Sequence, residues 1–433
     1  MSRKILLKKA TRIEGNAQVN IEVDEGRVRV ARFMVQDFRG FERFLKGRQV
    51  EFVPHLVSRI CGLCSASHQV ASLKAIEDAM SINVHDSVHK LRDIIVLAEW
   101  ISSHSLSYFF LTMPDFIGAS GGLFELMKTQ PDLAREALAL RKAGQDIIKI
   151  LGKRSIHPVS LGIGGFLMPV HDEDLEEVHS LASEVKSISA RLIRQVGSTI
   201  ISNDSIDFPP EQNLNFLTYG GPVGLDEFQV YDKQGNIKMR FSREEFEQNV
   251  SEMRAEWSLA KFPFLNSLGF PEGIMLVGPL SRSYLDNGFM SDADIKDLPL
   301  TGLLINSNAL TLESYDVCRL IEIFWAAKRI LSHLETIDVN RLTCDSDTKV
   351  SGKGIGVIEA PRGVLVHSYL INRGCIERLR LLVATQFNNA YINLIIKDIA
   401  EKNLSDSKLT EKGERLISRS IRIFDPCLSC ATH

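Results

Sequence analysis

Two Cys-x-x-Cys pairs stand near opposite ends of the 433-residue chain, Cys61/Cys64 and Cys427/Cys430, each with a histidine close behind it, His68 and His433. Thiolates at this spacing converge on a soft or borderline metal ion. A structural zinc site is the commonest use of two such pairs, but zinc ribbons bring their knuckles together over roughly 15–20 residues. Here more than 360 residues intervene, so a zinc clip would have to join the two ends of the chain. Seven cysteines is an odd number for a disulfide framework. The other three, Cys318, Cys344 and Cys375, stand alone in apolar or mixed stretches, the usual setting of a buried small hydrophobe.

The elements around these pairs follow from periodicity. A helical pattern sets in from about Val57, and the segment Arg59–His68 leads into Val70, Leu73, Ala75 and Ile76. On that helix Cys64 and His68 share a face. Val88–Leu111, Leu175–Leu192 and Leu310–Leu334 carry further stripes at three-to-four spacing. Ala17, Val19, Ile21 and Val23 alternate with polar residues before the turn Asp24-Glu25-Gly26, which predicts an N-terminal hairpin over about 5–37. Two more hairpins are predicted, Phe228–Phe241 around Lys233-Gln234-Gly235-Asn236, and Gly363–Val383 turning at Asn372-Arg373-Gly374. The polar tract Glu401–Lys412 is the weakest candidate boundary and is short enough to be a loop. We expect an α+β, predominantly helical chain forming one domain over 1–433, ending in a metal-binding segment 425–433.

Bulk properties exclude some functions. A net charge of -3 leaves no electrostatic footprint for nucleic acid. No apolar run approaches the roughly 18–20 residues that span a bilayer, and the start is too short in apolar residues for a secretory signal. The default compartment is the cytoplasm.

The motifs Arg59-x-Cys-Gly-x-Cys-x-x-x-His68 and Asp425-Pro-Cys-x-x-Cys-x-x-His433 resemble the two signatures of [NiFe] hydrogenase large subunits. Five more stretches resemble landmarks of that family in the expected order: Thr11-Arg-Ile-Glu14-Gly, Phe38-Arg-Gly-Phe-Glu42, Ile156-His157-Pro158 with Gly164-Gly165, Gly278-Pro-Leu, and Glu359-Ala-Pro-Arg362-Gly. The resemblance implies a central helix bundle with small peripheral β-sheets. It implies nickel bound by Cys61, Cys64, Cys427 and Cys430, with Cys64 and Cys430 bridging to an iron that carries one CO and two cyanides. H2 would be split heterolytically, a proton passing to the Cys427 thiolate and then to Glu14. Arg362 would sit over the open metal face, paired with Asp425. Thr385 would hydrogen-bond a cyanide, and His68 would support the cluster without ligating it. Glu42, His433 and the Leu381 carbonyl would hold Mg2+, an ion suited to few protein oxygens and several waters. Taken singly, Glu14 reads as a solvated charge, Arg362 as a surface ion pair, Asp425 as a turn residue before proline, and His68 as a satisfied buried histidine. His157 and His367 carry only a packing or hydrogen-bonding role.

The chain lacks the further cysteines that iron–sulfur clusters need, so the resemblance implies an iron–sulfur small subunit docked near Cys61/Cys64. Asn16 stands where Glu-Gly-His is common in the family; Ser103-His104, where membrane-linked relatives have an aspartate over the active site, together with Arg39-Gly-Phe-Glu42 and Val383-Ala-Thr385 points to the cytoplasmic bidirectional branch. The chain resembles the F420-non-reducing or methyl-viologen-reducing type, which implies a heterodisulfide reductase-like or an NAD- or F420-linked partner. The alternatives are an H2 sensor or a zinc-stabilised, non-catalytic relative of the complex I quinone-site subunit. Ending at His433 resembles either a matured form of the family or one that never had a C-terminal extension.

Overall fold

The computed structural model describes residues 3–7, 11–118, 122–200, 205–209, 214–220, 226–285, 290, 292–298, 300–301, 304, 310–343 and 350–433. Cys344 lies outside the described residues.

Near the N-terminus, β1 (Arg3–Leu7), β2 (Ala17–Asp24) and β3 (Arg27–Val35) form an antiparallel sheet. The expected hairpin is β2–β3, with Ala17 opposite Val35 and Asp24 opposite Arg27. Helix α1 (Ser65–Met80) follows the first cysteine pair. The helical pattern begins slightly earlier than expected, in the short helix Val53–Val57, but the segment carrying Cys61 is extended. Helices α2 (Asp86–Ser105), α3 (Pro131–Gly152), α4 (Asp172–Ile200) and α5 (Ser314–Leu334) pack against one another as the bundle. The stripe predicted over Val88–Leu111 holds, but from Leu106 to Thr112 the helix widens to π geometry. Together these turns make a continuous helix, Asp86–Phe116, long and apolar enough to cross a membrane, although most of it is buried inside the protein. No long apolar run marks it in the sequence, because polar residues divide it between Ile94–Ala98 and Tyr108–Leu111.

Smaller antiparallel sheets lie at the margins: β4 (Phe216–Tyr219), β5 (Glu227–Tyr231) and β6 (Ile237–Ser242); β7 (Val250–Ala255) with β8 (Ser258–Leu265); and β9 (Gly352–Ala360), β10 (Gly363–Asn372) and β11 (Cys375–Leu382). The two hairpins expected around Gly235 and Gly374 are β5–β6 and β10–β11. Helices α6 (Ala384–Lys402) and α7 (Glu411–Phe424) complete the chain, with a short helix, Leu428–Ala431, at its end. The polar tract Glu401–Lys412 is no boundary: it is a tight two-strand turn joining α6 and α7, which pack together. Cys318 is buried as expected, whereas Cys375, at the start of β11, is only half-buried.

One close approach sets the position of the site. On β9 a Cβ at Gly352, Gly354 or Gly356 would fall about 2 Å from the carbonyl oxygens of Ala79, Ala75 and Ala71 on α1. Glycines two apart on the strand thus meet alanines four apart on the helix, and no larger residue fits on the strand side. Strand and helix run in opposite directions, so the end of β9, leading to Arg362, lies beside the start of α1, next to Cys64.

Candidate metal centre

The two cysteine pairs meet. Cys61 Sγ lies 3.2 Å from Cys427 Sγ, Cys64 Sγ 3.2 Å from Cys430 Sγ, and Cys427 Sγ 2.8 Å from Cys430 Sγ. All four sulfurs fall within 4.8 Å of one another, and all four residues are buried. Hydrogen bonds from Cys427 and Cys430 hold the Cys61 thiol well below its usual pKa, while burial pushes Cys427 and Cys430 up. Such a cluster ionises fully only around a cation, which supplies the charge that burial denies it.

Different elements deliver the parts. Cys61 follows a single 3-10 turn, Cys64 is the residue ahead of α1, Cys427 caps the start of the short C-terminal helix, and Cys430 lies within it. Glu99, from α2, accepts the backbone N–H groups of Ala66 and Ser67 at 2.9 and 3.0 Å and so closes the first turn of α1 just after Cys64. Glu14 pairs with Cys427 across an isolated parallel bridge: its carbonyl accepts the Leu428 N–H, and its Oε2 accepts the Ser429 N–H at 3.0 Å.

The cluster opens on a small cavity lined by Cys64, Cys427, Cys430, His68, Arg362 and Thr385 among others. Arg362 Nε donates to the Asp425 carbonyl at 2.6 Å, and its Nη2 lies 2.8 Å from Asp425 Oδ2. Neither Nη group makes a hydrogen bond of good geometry, although both are buried. A cation so placed, with donors unspent, fits an anionic group bound on the thiolates. Thr385 Oγ1 accepts the Cys427 N–H at 2.9 Å, which leaves its own proton for another acceptor.

A profile of the family described as "Nickel-dependent hydrogenase" matches residues 39–135 and 227–433. The chain belongs to the nickel-dependent hydrogenase family. It is a hydrogenase large subunit, an enzyme acting on H2. A "HoxL-like" profile matches residues 4–38. An F420-non-reducing hydrogenase chain of Methanothermobacter marburgensis is 32% identical, over 99% of this chain and 94% of its own length. The NAD-reducing hydrogenase HoxS subunit beta of Cupriavidus necator is 30% identical, over 100% of this chain and 95% of its own. The crystal structure of an NAD+-reducing [NiFe]-hydrogenase in the H2-reduced state superposes with a TM-score of 0.90 at 29% identity, covering 100% of this chain and 99% of the other.

The remaining residues singled out in the sequence fall into two groups. Glu42, Leu381 and His433 come together in this hydrogenase: His433 Nε2 lies 2.6 Å from the Leu381 carbonyl and 3.8 Å from Glu42 Oε1, which accepts the Leu381 N–H at 3.0 Å. His433 Nδ1 lies 2.6 Å from the Cys430 carbonyl, so the group is one residue-length from the thiols. Lys261, Glu252 and Gln386 surround it, and the sequence reading missed all three. They come from β8, β7 and α6, and no local pattern links them.

The second group is a buried chain: His68 Nδ1 to His367 Nε2 at 3.1 Å, His367 Nδ1 to the Tyr369 hydroxyl at 2.7 Å, and Tyr369 to Ser72 Oγ at 3.0 Å. Burial holds His68 down at about 4 and His367 well below the ordinary range, so both rings are neutral. His157 is apart from the cavity, its Nδ1 2.9 Å from the Ser58 carbonyl. Ser103 and His104 differ from expectation: neither lines the cavity, and His104 Nε2 turns to Glu322 at 2.9 Å. The reason is that a buried arginine, Arg282, draws Glu322 and its neighbours into a separate charged cluster behind the site.

Proposed function

We propose that this chain catalyses reversible heterolytic oxidation of H2 at a nickel–iron centre, and passes the electrons to an iron–sulfur small subunit. The observation that carries the proposal is the meeting of four buried thiols from both ends of the chain beneath an arginine with unspent donors. A four-cysteine zinc site is coordinatively closed and has no use for a cation over its face. Cys61, Cys64, Cys427 and Cys430 would hold the nickel, and Cys64 and Cys430 would also hold the iron with its one CO and two cyanides. Bound there, such a centre supplies the electrophile and redox change that H2 cleavage requires.

The chain's own groups handle the proton and the surroundings. The Cys427 thiolate takes the proton first. Glu14 receives it next, since its backbone is paired with Cys427 and Ser429 fixes only one carboxylate oxygen. Arg362, steered by Asp425, presents its Nη groups to the diatomic ligands and to H2, and the Thr385 hydroxyl donates to a cyanide. The neutral His68 supports the cluster as a hydrogen-bonding group. Glu42, His433 and the Leu381 carbonyl hold Mg2+ with Lys261 and Glu252 at its margin, which ties the last residue beside the thiols. Because the two halves of the site come from opposite ends, we propose that residues 1–433 act as one domain.

Among the described residues no second group of clustered cysteines offers a path for electrons, so another polypeptide must take them. Exposed Phe52 stands ahead of the Cys61 segment, and exposed Ile156, Leu167 and Met168 lie on the loop that His157 pins to it. We infer that this apolar face receives the small subunit. The similarity to F420-non-reducing and NAD-reducing enzymes supports a cytoplasmic complex feeding a soluble carrier or a heterodisulfide reductase-like partner.

The test is the infrared spectrum of the anaerobically purified complex, with nickel and zinc assayed on the same sample. One CO band, two cyanide bands and about one nickel per chain are expected for a site of this kind. Zinc without those bands in fully processed protein refutes the proposal in favour of a structural clip.

A further inference from the structure

We infer that Arg282 is a positioning residue for the reaction, a buried fork that fixes the backbone carrying Arg362 over the thiol cluster. Its guanidinium has five N–H groups, and each finds an acceptor. Nε and Nη2 engage the two Glu322 carboxylate oxygens at 2.6 and 2.7 Å. Nη1 donates to Glu359 Oε2 and to the Ala360 carbonyl, both at 2.9 Å, and Nη2 also donates to the Pro361 carbonyl at 3.0 Å. Three of the five acceptors therefore belong to consecutive residues, Glu359, Ala360 and Pro361, immediately ahead of Arg362. The guanidinium carbon sits 4.0 Å from the Trp100 ring centre, and the Trp100 indole N–H donates to the Glu359 carbonyl at 3.1 Å.

Both ends of the Arg362 turn are thus held. Arg282 grips the residues before it, and Asp425, two residues from Cys427, takes its Nε–H. From above, Gly278 packs so closely that a Cβ there would lie 2.6 Å from the Arg362 carbonyl. Arg282 itself does not line the cavity. Its effect on the reaction passes through the placement of Arg362, whose Nη1 is left for the bound ligands while Nη2 faces Asp425. Lysine cannot replace it, because one ammonium carries three donors and no planar fork.

The test is Arg282→Lys in the purified complex, made both in the wild-type chain and beside Arg362→Lys. In the wild-type background it is expected to shift or broaden the cyanide bands and to lower kcat by up to about 10²-fold, the cost of a misplaced reacting group, with KM for H2 little changed. Beside Arg362→Lys it is expected to cost less than about 2-fold, since the residue it positions is already gone. Unmoved bands and full turnover in Arg282→Lys overturn the inference, as do penalties that multiply in the double variant. Should Arg282→Lys fail to load metal, Glu322→Gln offers the fork one anchoring oxygen in place of two at unchanged shape. Smaller band shifts in the same direction are then expected, and wild-type bands and turnover overturn the inference. It rests on the nickel–iron reading above. A wild-type complex lacking CO and cyanide bands refutes that reading, whereas a normal wild-type spectrum with an unaltered variant refutes the role of Arg282 alone.

Discussion

Glu14 receives the Ser429 N–H on one carboxylate oxygen and leaves the other for a proton. Replacing it by glutamine keeps the acceptor and the shape but removes the base. Glu14→Gln is therefore expected to lower H2-dependent dye reduction by about 10²- to 10⁴-fold, the range for loss of one acid–base group. Nickel content and infrared bands should stay at wild-type values. Full activity in that variant would place the proton route elsewhere. At this scale the sequence was most informative: the two cysteine pairs, Glu14, Arg362 and Asp425 stood in motifs, and the fold brings them, with Thr385, to one cavity or its rim. It was least informative for residues that act through distant partners. Arg282, Glu322 and Lys261 meet their partners across long stretches of chain, and neither spacing nor residue type announces such a meeting.

Between elements, one buried cation serves two acids. Arg282 lies between Glu322 on α5 and Glu359 on β9, and a single positive charge sustains only one carboxylate there. Glu322, held by two N–H groups, has its pKa lowered against its burial by Arg282. For Glu359, burial prevails and raises the pKa to about 7. Folding therefore takes up a proton at Glu359. The resulting stabilisation is complete below the ordinary glutamate pKa of about 4.5 and is lost as pH rises through about 7. Glu359→Gln should remove this slope, so that its thermal midpoint falls less than that of wild type from about pH 5 to about pH 8. Parallel curves would mean that Glu359 is ionised throughout. The hairpins β2–β3, β5–β6 and β10–β11 and the helices α1, α2, α4 and α5 were readable from periodicity, because each buries one face, whereas α3, α6 and α7 were not anticipated. The π-helical stretch after α2 and the turn at 404–409 were not readable, since both depend on what packs beside them.

Over the whole molecule the site is a clasp between the two ends of the chain. His433 fastens the last residue to the Leu381 carbonyl and the Cys430 carbonyl, and the backbone of Arg39 and Gly40 donates to the Thr432 carbonyl. His433→Ala should free this segment and weaken metal retention by about 10- to 100-fold, as loss of a group supporting ligands does elsewhere. Nickel per chain after gel filtration in chelator, with amide exchange at Leu428–Thr432, measures it. Retained nickel with protected amides would show that the thiols alone hold the terminus.

By itself the sequence placed the chain in its family and offered a candidate donor set, because two Cys-x-x-Cys pairs and five accompanying motifs are local patterns that survive in any linear reading. It also set out three hairpins and the helices α1, α2, α4 and α5, whose apolar faces recur at fixed intervals. Only the tertiary structure decided which thiols are neighbours, that Arg362 is paired with Asp425 yet keeps Nη1 unpartnered, and that Ser103 and His104 do not line the cavity. Those outcomes depend on the glycine–alanine contact of β9 with α1 and on the buried charges around Arg282. Both join residues that lie far apart in the chain and adjacent in the fold.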